Sequence, residues 1–283
     1  VGGPVQDVGG AAVRSGRNLP VAIGVGVVLG GTFLGSLFLD PLAFTLVIVT
    51  LSVIAVLEAS SVLQGLATPR PVSRPVLVVG VVTIQLGAWL LGPEGQTLGL
   101  LVLVLGAFVW SLVALPRQDV VAKLGTTILL GCWVGLLASY GVLLATLDDG
   151  VVAVLAVVGA AIMGDIGGYA FGRLFGRTRI APTVSPNKTW EGLVGGVVLA
   201  GVLAWFVLPL VGDLFERPLV GVAVAVLSVL AGFVGDLTES MVKRDLGVKD
   251  LGDLLPGHGG ILDRVDGLLL ALPVGYHVVQ LLA

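Results

Sequence analysis

The chain has 283 residues, of which 56% are hydrophobic and only 12% charged, with a net charge of −3 and a mean hydropathy of +1.08. Soluble domains carry roughly 25% charged residues, so this composition excludes a water-soluble globular enzyme and calls for contact with lipid. No basic block offers a footing for nucleic acid, and Cys132, the single cysteine, leaves no intrachain disulfide and no cysteine-based metal site.

In chain order, Val1–Asn18 is polar and Gly-rich, holds Arg14 and Arg17, and lacks a cleavable signal pattern. It reads as part of a cytoplasmic tail over 1–19. A spanning helix needs about 20 mostly apolar residues. Apolar runs between polar breaks then predict nine spans: Pro20–Leu39, Pro41–Leu57, Pro75–Leu91, Thr97–Leu115, Leu124–Leu147, Val151–Phe171, Leu193–Val211, Leu219–Gly235 and Gly267–Ala283. The fold class expected is all-α, a polytopic integral membrane helical bundle.

Charges in the gaps alternate. Arg70 and Arg74, Arg117 and Lys123, Arg173, Arg177, Arg179 and Lys188, and finally Lys243, Arg244, Lys249 and Arg264 share one side with Arg14 and Arg17. The opposite gaps hold Asp40, Glu94, Asp148, Asp149, Asp213 and Glu216, with Arg217 as their lone cation among fifteen Lys and Arg. The positive-inside rule makes the first side cytoplasmic, with the N-terminus in and the C-terminus out. Gly164, Gly168, Gly172 and Gly176 form a small-residue ridge suited to close helix packing. No internal inversion suggests a transporter built from two halves.

Polar residues concentrate late. The chain divides into N-terminal transmembrane helices over 20–150 and a C-terminal region over 151–283, whose gaps 172–192 and 236–266 are dense in functional side chains. Asp236, Glu239, Ser240 and Lys243 fall on one face of a helix leaving the membrane. Asp263 and Asp266, three apart, share a helix side, and Pro256-Gly257-His258-Gly259-Gly260 makes a turn between. Carboxylates suit a hard cation such as Mg²⁺, Lys and Arg suit polyphosphate, and a Gly-rich turn brings backbone N–H groups close to phosphate. Single charges at span ends are ordinarily interfacial anchors. Several carboxylates together, each costing roughly 2.5–3.5 kcal/mol if unpaired at the bilayer centre, point instead to a shared ligand. Asp165, inside the sixth span, is a further candidate on the same ground. Ser185, Asn187, Lys188 and Thr189 offer donors for a nucleotide or phosphate, and His258 a phosphate donor. Glu58, at the cytoplasmic end of the second span, has two readings, neutralising a cation or structural pairing, and the second is favoured. His277 reads as an interfacial residue.

Ser240, Lys243-Arg244, Lys249-Asp250, Gly252, Pro256, His258-Gly259-Gly260 and Asp263-Arg264-Val265-Asp266 resemble, at family spacing, the signature of the phosphatidate cytidylyltransferases, or CDP-diacylglycerol synthases. Ser185–Gly192 is similar to that family's conserved loop, with Asn187 where Lys is common, and Asp165–Tyr169 to its Asp-containing helix motif, with Ile166 and Gly168 as departures. The motifs cover about the last 120 residues; the earlier spans match mainly in hydropathy. The resemblance implies that CTP and phosphatidic acid become CDP-diacylglycerol and pyrophosphate with Mg²⁺, in a bacterial-type plasma membrane, and it implies a homodimer. On that basis Asp236, Asp263 and Asp266 are expected to hold Mg²⁺ and a second cation, with Lys243 also in the catalytic set. Lys188, Lys243, Arg244, Lys249 and Arg264 would grip phosphates, Ser185, Asn187 and His258 would donate hydrogen bonds, and Ser240 and Asp250 complete the substrate-binding set. The rival readings are a CTP-dependent polyprenol or phytol kinase and, from another class, a transporter.

Overall fold

The computed structural model describes residues 19–114, 118–255 and 259–282. The expected tail, apart from Leu19, lies outside these residues, as do Arg117 and His258. The helices are α1 (Leu19–Leu39), α2 (Pro41–Gly65), α3 (Arg74–Val113), α4 (Val120–Leu130), α5 (Leu137–Ala145), α6 (Gly150–Phe175), α7 (Trp190–Val207), α8 (Pro218–Leu246) and α9 (Leu262–Leu282). Among the described residues, seven helical stretches are long and apolar enough to cross a membrane, and Ile23–Leu39 is a shorter apolar helix. The protein is an all-α polytopic membrane bundle.

Local chemistry sets the breaks. Asp40 separates α1 from α2 by accepting the Leu42 N–H at 2.7 Å, with Pro41 supplying a preset first helical residue. Within α3, Gly92 takes φ 64° and ψ −144°, and Pro93 follows it. The helix folds back there. Gly87 and Gly95 meet backbone to backbone, and Gly99 sits against Ile84, so α3 is a hairpin of two antiparallel arms. Its reversal lies in the expected gap between the third and fourth spans.

The run expected as one span over Leu124–Leu147 is continuous but changes pitch. A π-helical turn at Gly131–Leu136 joins α4 to α5. There the buried Gln85 amide donates to Ser52 Oγ at 2.8 Å and to the Gly135 carbonyl at 3.4 Å. Gln96 likewise donates to Ser139 Oγ at 2.7 Å. Such polar pairs hold helices together where lipid removes the usual hydrophobic drive.

The main core, with Val142, Leu144, Val157, Val224, Ala271 and Leu272, gathers α5, α6, α8 and α9. A second core joins α2, α3 and α9 through Val56, Leu77, Val81 and Leu262. The predicted small-residue ridge of α6 does serve close packing: Gly172 lies against the start of α7 and Gly164 against Val229 of α8, and Gly167, beside the ridge, meets the α7 backbone. A Cβ on Gly167 would lie 2.8 Å from Gly196 Cα, and one on Gly172 3.3 Å from Thr189 Oγ1. Gly167→Val should therefore cost about 1–3 kcal/mol by overpacking, lowering the apparent Tm in detergent. Gly24→Ala, with no atom within 4 Å of the added carbon, should leave the Tm unchanged.

Candidate active site

Chain between α6 and α7 was expected to be a loop; it is an antiparallel hairpin. β1 (Arg179–Ala181) pairs with β2 (Ser185–Thr189), Arg179 opposite Thr189 and Ala181 opposite Ser185. The hairpin is fastened to the first turn of α7, which begins at Trp190 rather than Leu193. Thr189 Oγ1 accepts the Gly192 N–H at 3.2 Å as an N-cap. Glu191 accepts the backbone N–H groups of Arg177 at 3.1 Å and Thr178 at 3.2 Å. A carboxylate near a helix N-terminus and on two backbone donors is a strong tie.

This anchoring lays Asn187 and Lys188 over a cavity of about 220 Å³ between α6, α7 and α8. Asp165 and Thr189 line its polar part, while Ala161, Leu193, Val229 and Phe233 line its apolar part. Lys188 Nζ pairs with the Asp236 carboxylate and stands 5.3 Å from the Phe233 ring centroid. Ser240 Oγ donates to Asp236 at 3.5 Å, the i,i+4 neighbour expected on one face of α8. On the far side of the hairpin, Arg244 Nε donates to the Val184 carbonyl at 3.5 Å.

α8 and α9 cross closely enough to bring the remaining aspartates in. A Cβ on Gly235 would stand 2.7 Å from the Asp266 carbonyl oxygen, and one on Gly267 would stand 2.9 Å from the Gly232 carbonyl oxygen. Only glycines permit that approach. It places Lys243 between Glu239 Oε2 at 3.1 Å and Asp263 Oδ1 at 2.9 Å. Asp266 takes the Gly267 N–H at 2.8 Å and faces the Glu239 carboxyl.

Asp263 is the most heavily engaged group. Oδ1 accepts from Lys243 and, at 3.2 Å, from the Leu251 N–H; Oδ2 accepts from the Leu251 N–H at 3.0 Å and the Gly260 N–H at 2.9 Å. A carboxylate offers about four lone-pair sites, and three protein donors reach them here, the Leu251 N–H being shared between both oxygens. Opposite it, Glu58 of α2 accepts the Leu254 N–H at 2.8 Å and the Ile261 N–H at 2.9 Å. Its expected structural pairing is real, but the partners are backbone groups 196 and 203 residues away.

Charge balance bears on a metal. Asp165, Asp236, Glu239, Asp263 and Asp266 face two ammonium groups, Lys188 and Lys243. Both Glu239 oxygens are buried, and Oε2 meets the Lys243 ammonium at 3.1 Å. An excess of hard carboxylate oxygen in a low-dielectric rim fits a divalent cation. Among the described residues, though, no three of the metal-ligating side chains converge ready-made on one point. Asp236, Asp263 and Asp266 are therefore neighbours rather than a preformed triad. Of the other expected residues, Asp250 lies against Gly259, while Lys249 and Arg264 are exposed and make no side-chain hydrogen bond or ion pair.

The sequence model of the cytidylyltransferase family matches residues 20–282. The chain belongs to the cytidylyltransferase family. A phosphatidate cytidylyltransferase of Mycobacterium leprae is 34% identical over 95% of this chain and 90% of its own length. One from Mycobacterium tuberculosis is 35% identical over 95% of this chain and 84% of its own length. One from Haemophilus influenzae reaches 49% identity, over 38% of this chain and 39% of its own length.

Family membership covers the whole bundle, whereas the motifs lie late in the chain. Sequence reasoning passed over Glu239, Glu191 and Glu58 as site residues. Glu239 carried a signal, since it shares a helix face with Asp236 and Lys243. Glu58 carried none, because its partners are main-chain atoms.

Replacing Asp263 by Asn turns one acceptor oxygen into an amide NH₂ that opposes a backbone N–H group. Asp263→Asn should cost about 1–3 kcal/mol for the stranded donors, read as a lower Tm and faster amide exchange at Leu251 and Gly260. Arg264→Gln, at the exposed neighbouring position, should change neither.

Proposed function

We propose that this protein transfers CMP from CTP to phosphatidic acid, forming CDP-diacylglycerol and pyrophosphate at the cytoplasmic rim of a bacterial plasma membrane. The observation that carries this reading is the cleft under Lys188, apolar on one side and charged at its mouth. Such a cleft suits a ligand that is part phosphate and part hydrocarbon. The names of the relatives point to the same acceptor, and the positive-inside pattern supports a cytoplasmic mouth.

A phosphate monoester has a second pKa of about 6, so the acceptor is already largely a dianion at neutral pH. Little proton abstraction is needed. The difficulty is bringing two polyanions together, and preorganised cations address it. Lys188, fixed by Asp236, neutralises the lipid phosphate at the cleft mouth. Lys243, Arg244, Lys249 and Arg264 neutralise the triphosphate, with Ser185, Asn187 and His258 donating hydrogen bonds.

A phosphatidate oxygen attacks the α-phosphorus of CTP, the bond to the α–β bridging oxygen breaks, and pyrophosphate leaves with that electron pair. Asp236 and Asp266, with Glu239 beside them, would hold Mg²⁺ and a second cation. Asp263 would join by giving up one of its present donors. Bound there, Mg²⁺ supplies charge stabilisation to the pentacoordinate phosphorus and the leaving pyrophosphate. The protein works as a homodimer in this reading, which a mass measurement in detergent checks.

Purified protein should release pyrophosphate when given CTP, phosphatidate and Mg²⁺, and release none without lipid. Phosphate transfer to a polyprenol, with phosphatidate inert, would replace this reading by a lipid kinase. Lys188→Met should lower kcat by about 10²–10³-fold, the usual loss for one preorganised donor, without lowering the Tm.

A further inference from the structure

We infer that Glu58 is a positioning residue for the CTP-binding segment, an inference that rests on the activity proposed above. Glu58 belongs to α2, in the half of the chain that carries none of the motif residues. Yet its carboxylate receives the Leu254 and Ile261 N–H groups, one from each end of the motif's Gly-rich stretch. Asp263 receives the Leu251 and Gly260 N–H groups from within the motif itself. Two carboxylates from opposite sides thus hold four backbone donors of one short segment.

The fit is tight in a way that explains the glycines. A Cβ on Gly252 would stand 2.5 Å from Glu58 Oε1 and 2.8 Å from Gly260 Cα. Gly252 and Gly260 lie back to back, and the Glu58 carboxylate closes against the first of them. Gly259 takes φ +78°, a conformation natural to glycine, and turns the chain back so that Leu255 N–H reaches its carbonyl at 2.9 Å. The segment so shaped carries Lys249, assigned above to the triphosphate, with Asp250 beside it against Gly259.

Asp263 lies among the metal-site candidates, so its loss cannot separate loop order from catalysis. Glu58 touches none of the reacting groups and can. Its carboxylate is also chemically specific for this task. Two N–H donors need two acceptor oxygens, and an amide would set its own NH₂ against one of them.

Full-length wild type, Glu58→Gln and Glu58→Ala should be compared in nanodiscs, with Glu94→Gln as a carboxylate control away from the segment. Both Glu58 variants should raise KM for CTP by about 10–100-fold, as displaced contacts commonly do, and leave KM for phosphatidate within about twofold. Amide exchange at Leu254 and Ile261 should rise in the same variants, and Glu94→Gln should behave as wild type. Unchanged KM for CTP in an active Glu58→Gln overturns the inference. So does an equal rise in both KM values, or failure of both variants to accumulate, since each marks a purely structural role. A wild type that does not turn over CTP with phosphatidate sinks the proposed activity instead. The exchange arm then still reports whether Glu58 holds the segment.

Discussion

One buried carboxylate, Asp263, ties together three pieces of chain that otherwise share no regular structure. It is joined by the Lys243 ammonium from α8 and by backbone N–H groups at Leu251 and Gly260, and it sits in the first turn of α9. The Lys243, Glu239 and Asp263 side chains are 17%, 0% and 2% exposed. At that depth an unpaired charge is costly, and removing one partner of a buried pair commonly costs about 3–5 kcal/mol. The arrangement of the whole rim follows from satisfying this group.

The requirement is sharpened by the bilayer. Irregular backbone is tolerated at membrane depth only where its polar groups find partners in protein or water. Among the described residues between α8 and α9, four N–H donors are met by Asp263 and Glu58 and the Leu255 N–H by the Gly259 carbonyl. The hairpin between α6 and α7 solves the same problem differently, with two short strands plus Glu191. The hairpin lays Asn187, Lys188 and Thr189 over the cleft, whereas the segment between α8 and α9 is held further along α8, where Lys243 meets Asp263. The cleft is therefore covered by one stiffened polar segment and walled by α6, α7 and α8. That geometry suits a reaction between a water-borne nucleotide and a lipid headgroup, because neither substrate has to cross into the other's solvent.

Glycine is what lets the helices deliver these side chains. Gly232, Gly235 and Gly267 allow α8 and α9 to touch backbone to backbone, which carries Asp236 next to the Asp266 turn. Gly167, Gly172 and Gly192 do the same for α6 and α7, carrying Asp165 under Lys188. In lipid these contacts rest on close van der Waals packing, and larger residues would separate the carboxylates by pushing the helices apart.

The sequence by itself determined the membrane class, the helix runs, the face that gathers positive charge and the family motifs. Each of these is a local property of composition, period or spacing. Asp236, Glu239, Ser240 and Lys243 could be placed on one helix face because 3.6-residue periodicity needs no partner. Only the tertiary structure decided which of those groups meet. It bent α3 back at Gly92, made a hairpin of the expected loop and set Lys188 on Asp236. It also showed which protein donors meet Asp263: the Lys243 ammonium and the Leu251 and Gly260 N–H groups. Glu58 is the plainest case. Its partners are backbone N–H groups, identical in every residue but proline, so no pattern of side chains could have announced them.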